Sequence, residues 1–316
     1  MQHRVALSHA SGLAAEAILE KLPESGIEPD SLVLLDRESN AGKRQAYGGT
    51  HLRLLDQAQY ELSDCQLLLM PEADPVLEAA ALQQGCLLLS HAITDSRPAV
   101  FMSAQGQEPR LSYSETSLRL AGPEVSCVLP ALMELDRLAG ITGLNLTLLR
   151  SAEFYGGEGV EELASQTVQL LNGRSVESSI FSQQMAFNLL PEVVEQNLEA
   201  DLRHHLGTGS YPISIQTVNV PVFHGFAAAV QGQFAGEVDA KECSTSLSAL
   251  RGVTLKTSNA SPISDCNQSF SCIISNLEQT PDRPASLQFW ALADPMRYGL
   301  ANNYVNVTDF LLKSYL

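Results

Sequence analysis

Ser31-Leu32-Val33-Leu34-Leu35-Asp36-Arg37-Glu38-Ser39-Asn40-Ala41-Gly42-Lys43 runs from an unbroken apolar segment into a charged turn, and the fold class follows from its first half. Leu32 to Leu35 shows no polar alternation. A strand of that kind has both faces covered, the habit of parallel strands layered between helices. The neighbouring segments repeat the pattern. Val5 to Ser8 is a short apolar strand, and Gly12 to Leu22 reads as a helix whose stripe is Leu13, Ala17, Leu19 and Leu22. Cys65 to Met70 and Cys86 to Ser90 are two more buried runs, with a helix from Asp74 to Gln84 between them. This alternation predicts an α/β first domain on a parallel sheet, over residues 1–122. Within it the Pro/Gly/Ser-rich stretch from Ser96 to Ser114 reads as a long connection.

Further along the texture changes. A helix from Ser126 to Leu138 is followed by longer strand candidates, Asn145 to Phe154, Tyr211 to Phe223 and Leu287 to Ala293. Helices from Val160 to Leu171 and Glu195 to His205 lie among them. Few strands with long insertions predict an α+β second domain with a mixed sheet, over residues 123–295. The last segment, Met296 to Leu316, reads as a helix returning to the first domain.

The chain has 316 residues, 45% of them hydrophobic, enough for two domains with real cores. Its net charge of -17 speaks against nucleic acid or an anionic membrane surface as partner. No run approaches the roughly 20 apolar residues needed to span a bilayer. Val5-Ala6-Leu7 is too short an apolar stretch for a signal peptide and reads as a first strand. Six cysteines without a CxxC pair suggest reduced thiols and a cytosolic compartment. The histidines show no metal spacing; the rings of adjacent His204 and His205 are expected to diverge, and no metal is predicted.

Two segments carry nucleotide chemistry. In Ser8-His9-Ala10-Ser11-Gly12-Leu13-Ala14-Ala15, a turn that would want glycines for close approach to a pyrophosphate keeps only Gly12. The charged turn after Asp36 offers the planar fork of Arg37, the hydroxyl of Ser39 and the point charge of Lys43 around Gly42, a set suited to phosphate.

The turn resembles the R-S-A-G-K loop of the aspartate-semialdehyde dehydrogenase family. Other stretches carry the same resemblance. Asn219-Val220-Pro221-Val222-Phe223-His224-Gly225-Phe226 keeps the frame V-P-V-x-x-G of the family's R-V-P-V-x-x-G-H-S. Ala186-Phe187-Asn188-Leu189-Leu190-Pro191 is similar to I-A-F-N-x-x-P, and Gln288 to Asp294 with Arg297 and Gly299 to F-W-x-x-x-D-N-x-R-x-G. The resemblance implies a Rossmann-like parallel-sheet N-terminal domain that binds NADP, completed by the C-terminal helix 296–316. It also implies an α+β dimerisation domain with a mixed sheet, and a homodimer. Ser11, Gly12, Leu13, Arg37, Ser39, Gly42 and Lys43 become the cofactor set, with affinity weakened by His9 at the first glycine position.

The same comparison removes the chemistry. The family's nucleophilic cysteine, in P-N-C-S-T, falls on Val125 when anchored on Pro123, and on Pro123 itself when anchored on the downstream Ala131-Leu132. Its substrate-orienting glutamine falls on Arg150, its carboxylate-binding arginine on Asn219 and its histidine acid/base on Phe226. Cys127 lies two residues beyond Val125, with Glu124 near enough to raise a thiol pKa, and reads as a small buried residue. His224 lies two residues before Phe226, on the same side of a regular strand but about 7 Å away. The chain is thus most similar to the non-catalytic Usg-type paralogue, a dimer binding a nucleotide, a metabolite or a protein partner. One alternative is an active NADP-dependent, acyl-phosphate-forming semialdehyde oxidoreductase with a rearranged Cys127/His224 site. Another is a structural subunit whose pyrophosphate site is filled by His9. A hydrogen bond between Cys127 and His224 would favour the enzyme; Cys127 turned into the helix packing would not.

Overall fold

The computed structural model describes residues 3–92, 99–102, 115–193, 196–207 and 211–316. They form two units, Met1–Gly122 with Leu300–Leu316, and Pro123–Gly299. The expected connection from Ser96 to Ser114 lies largely outside the described residues.

In the first unit the apolar runs become β1 (Val5–Leu7), β2 (Leu32–Asp36), β5 (Leu67–Leu69) and β6 (Leu87–Ser90). With β7 (Ser117–Arg119) they pair in parallel, Val5 opposite both Leu32 and Leu67. A hairpin of β3 (Arg44–Tyr47) and β4 (Thr50–Asp56) extends the edge through Gly48 and Gly49, both at positive φ. The order is β3-β4-β2-β1-β5-β6-β7. Helix α1 (Leu13–Lys21) follows β1, and α2 (Pro75–Gln83) follows β5. Asp74 caps α2 by accepting from the N–H groups of Val76 and Leu77, and Pro75 supplies its preset φ, which is why that helix starts there. One face of the sheet (Ala6, Val33, Leu35, Leu68 and Leu88) packs against Leu77 and Ala81 of α2. The chain winds to one side of β1, then crosses to the other, so the two directions part between β1 and β5.

The second unit opens with α3 (Pro123–Ala139), three residues earlier than the periodicity predicts because Pro123 is suited to a first helical turn. Its sheet is mixed, in the order β12-β13-β14-β11-β8-β10-β9. The strands are β8 (Ile141–Arg150), β9 (Leu190–Glu192), β10 (Ile213–Asn219), β11 (Phe226–Phe234), β12 (Val253–Lys256), β13 (Cys272–Gln279) and β14 (Ser286–Ala293). Between them lie α4 (Gly156–Leu171), α5 (Gln196–His205) and α6 (Ala240–Ser248). Helix α3 lies on β8, β11 and β14. The outward side is mostly polar: Asn145, Thr147, Gln231, Gln288 and Trp290, with the Glu278 carboxylate among them, surround a depression of about 500 Å³.

Several expectations need correction. The predicted strand from Tyr211 to Phe223 stops at Asn219, because Pro221 has no N–H to donate and the chain turns before β11. Gly225 sits at φ +102, and a Cβ there would stand 2.4 Å from Pro262 Cβ. The strand expected over Asn145 to Phe154 is shifted to Ile141–Arg150, with Ala152–Tyr155 forming a 3-10 turn. The final helix is interrupted: Pro295–Ala301 is a π-helical turn, and α7 (Asn302–Ser314) begins after it. Within the first unit α7 lies on α1, and its buried Tyr304 donates to the Met70 carbonyl at 2.9 Å. The rings of His204 and His205 do not diverge; they meet edge to face at 5.0 Å.

Candidate functional site

The first cluster lies at the C-terminal ends of β1 and β2. Asp36 ends β2 as a buried carboxylate, and its Oδ2 accepts the Ser11 N–H at 2.8 Å. Its Oδ1 accepts the Arg37 N–H and the Asn40 amide, both at 2.8 Å. Burial pushes this carboxyl up, but hydrogen bonds from Asn40, Ser11 and Arg37 outweigh burial and hold it below the usual range. Asn40 also donates to Ser11 Oγ at 2.9 Å, and its Oδ1 accepts from Lys43 Nζ at 2.5 Å. The fold therefore brings Ser11, Asn40 and Lys43 into one network, with Arg37 and Ser39 exposed on the same turn. Gly42, at φ +87, lets the turn double back. Gly12 precedes α1 and Leu13 begins it. Sequence reasoning passed over Asn40 as a site residue, although it sits inside the quoted motif.

His9 takes a left-handed φ of +50 and is buried. Its Nε2 lies 3.8 Å from Asp74 Oδ2, and its Nδ1 is 3.2 Å from Ser8 Oγ. The loop after β5 also brings the Glu72 carboxylate over Gly12. Nothing local in the sequence announces that contact.

In the second unit the positions aligned with the missing dehydrogenase groups share one rung of the sheet. Arg150 on β8 is directly opposite Asn219 on β10 and Phe226 on β11. Arg150 forms a buried ion pair with Glu124, from the first turn of α3. Its guanidinium stands 5.6 Å over the Phe154 ring, which in turn is 6.0 Å from the Phe226 ring. Asn219 is fully buried and donates to Tyr155 Oη at 2.7 Å; that hydroxyl donates to Glu192 Oε1 at 2.7 Å. Burial, with Glu192 beside it, pushes the Tyr155 hydroxyl up to about 12. Val125 is buried in α3.

Cys127 and His224 are engaged with different partners. Cys127 is 1% exposed, and its Sγ lies 2.8 Å from where a Gly299 Cβ would stand. Its carbonyl accepts from Cys272 Sγ at 3.7 Å. Burial pushes the Cys127 thiol well up, and Cys272, Glu124 and Asp294 add to the effect. His224 occupies the turn before β11, half exposed, with Nδ1 3.3 Å from Glu153 Oε2. Glu153 is buried and also accepts the Gly225 N–H; burial raises its carboxyl despite that bond. The Asp294 and Gly299 letters have packing roles. Asp294 accepts the N–H groups of Met296 and Arg297, and Gly299 passes within Cβ distance of Pro123 O.

Among the described residues no group of three or more His, Cys, Asp or Glu side chains is placed to hold a metal ion, and no helix is long and apolar enough to cross a membrane.

Residues 151–298 match the family described as semialdehyde dehydrogenase, dimerisation domain. The chain is 30% identical to a USG-1 protein homolog of Pseudomonas aeruginosa, over 99% of this chain and 98% of that one. It is 26% identical to aspartate-semialdehyde dehydrogenase 2 of Vibrio cholerae, over 99% of each. The crystal structure of aspartate semialdehyde dehydrogenase II from Vibrio cholerae complexed with ASA superposes with a TM-score of 0.87, at 25% identity and full coverage of both chains. Fold, motifs and relatives agree: the chain belongs to the aspartate-semialdehyde dehydrogenase family.

Proposed function

We propose that this protein is a family member that has lost the dehydrogenase chemistry and keeps a weakened NADP site and a homodimer. The carrying observation is the Glu124–Arg150 ion pair beside Asn219 and Phe226. A thioester-forming dehydrogenase needs thiolate, base, orienting amide and carboxylate clamp together. Three of the four aligned positions on this rung hold Phe226, Arg150 and Asn219, the fourth is Val125 on α3, and Arg150 is neutralised by its own partner. Cys127, buried and held protonated, is a poor replacement nucleophile.

Exposed donors on Arg37, Ser39 and Lys43 around Gly42 fit a phosphate, which supports NADP as the ligand of the first unit. Bound there, NADP would supply hydride-transfer capacity; these residues would only hold its 2′-phosphate. The matched dimerisation family and the outward sheet face around Trp290 support the homodimer. The chain would then act by binding a nucleotide, a metabolite or a protein partner. The rival, an active oxidoreductase built on Cys127 and His224, draws on one observation, the Glu153–His224 pair that could orient a base.

The test is calorimetric titration with NADP and NADPH on wild type and Arg37→Ala, with aldehyde turnover measured beside a Cys127→Ser control. Binding abolished by Arg37→Ala, without turnover, is the expected result. Turnover that disappears in Cys127→Ser would establish the rival, and no binding up to millimolar cofactor would remove the NADP site.

A further inference from the structure

In a doubly wound sheet the ligand crevice lies where successive strands part to opposite sides, at their carboxyl ends. Here that place is between β1 and β5, bounded by the loops carrying His9 and Glu72. A dinucleotide lays its pyrophosphate there, against the N–H groups and the positive dipole end of the following helix. Helix α1 has no side-chain cap of its own. Instead an oxygen of Glu72 lies 2.5 Å from where a Cβ on Gly12 would stand, closer than any other atom; the His9 carbonyl follows at 3.2 Å. A second carboxylate, Asp74, stands behind His9 at 3.8 Å.

We infer that Glu72 is a built-in anion that occupies the pyrophosphate position and closes the crevice to dinucleotides until its side chain turns out. The inference rests on the reading that the Arg37–Lys43 loop takes a 2′-phosphate, and it assigns the weakness of that site to one residue. Two effects act together. The carboxylate fills the space that the lone remaining glycine leaves open, and its charge repels phosphate from the helix start. His9, although it stands at a glycine position, is turned toward Asp74 and Ser8 rather than over the helix start. The closure is therefore a property of the loop after β5 and not of the imperfect glycine motif.

Full-length wild type, Glu72→Gln and Glu72→Ala are titrated calorimetrically with NADP and, separately, with adenosine 2′-monophosphate. The second probe reaches the Arg37–Lys43 loop but carries nothing into the crevice. Circular dichroism confirms that each variant is folded; Glu72→Gln keeps the side chain's size and removes only its charge. The expected result is NADP bound about tenfold tighter by Glu72→Ala, and by a smaller factor in Glu72→Gln, the scale of removing one like charge at contact range. The 2′-monophosphate should bind all three proteins alike. Unchanged NADP affinity with intact 2′-monophosphate binding would overturn the role of Glu72 and leave the loop reading standing. Failure of all three proteins to bind either probe would overturn both.

Discussion

The Glu124–Arg150 pair is the sharpest feature to perturb, because its two charges sit 7% and 8% exposed in the second unit. Removing one partner of a buried pair leaves the other charge uncompensated, which costs about 3–5 kcal/mol, whereas replacing both by neutral groups is far milder. Glu124→Gln should therefore destabilise the second unit by about 3 kcal/mol. For a unit of this size that lowers its melting temperature by about 6–12 °C. Arg150→Gln, which restores the glutamine of the family motif, should cost a similar amount because it removes the ion-pair partner of the buried Glu124 carboxylate. The double variant should lose much less than the sum of the two, with a coupling of at least about 2 kcal/mol. The assay is urea denaturation of the four proteins, followed by fluorescence of the single tryptophan, Trp290, which lies on the same sheet. Single variants that each lose under about 1 kcal/mol and simply add would refute the claim that the pair replaces the catalytic polar groups as a structural unit.

Gly225→Ala should cost about 1–3 kcal/mol, the usual scale for forcing a side chain into a left-handed position, because φ is +102 and Pro262 blocks the Cβ; a urea midpoint unchanged from wild type would contradict this. His91 packs against Tyr304, and burial pushes its imidazole down to about 4. A depressed histidine takes its proton more readily in the unfolded chain, so its contribution is complete above about pH 6.5 and is lost as pH falls toward 4. At most about 3 kcal/mol is at stake, and His91→Gln should flatten that part of a stability–pH curve. Trp290→Glu places a second carboxylate beside Glu278 on the outward sheet face; on the proposed homodimer, sedimentation velocity should show a dimer for the wild type and a monomer for the variant.

The centre of the first sheet was legible because β1, β2, β5 and β6 are unbroken apolar runs, whereas β3, β4 and β7 mix polar and charged residues and carry no such signal. Strand β11 was not legible. Phe226-Ala227-Ala228-Ala229-Val230-Gln231-Gly232 has little intrinsic strand preference, and it is held in place by pairing with β8 on one side and β14 on the other. The same limit applies to the sites. Arg37, Gly42 and Lys43 lie within one turn and could be read as a motif. The Glu72–Gly12 and Glu124–Arg150 contacts join residues far apart in the chain, and only the folded backbone brings them together. His224 was misread as a strand residue because the turn imposed by Pro221 and Gly225 was passed over.

The six cysteines have a consequence that is independent of catalysis. All are free and buried, and burial raises the thiol of each, to about 12 for Cys86 and Cys266. Alkylating reagents attack the thiolate, so the native chain should be nearly inert toward iodoacetamide. Whatever modification occurs must pass through transient opening of the surrounding structure. Cys65 and Cys86 would then time the opening of the first unit, and Cys127, Cys243, Cys266 and Cys272 that of the second. The thiols of a family built around thiol chemistry have become, in this member, internal reporters of how often each half of the molecule breathes.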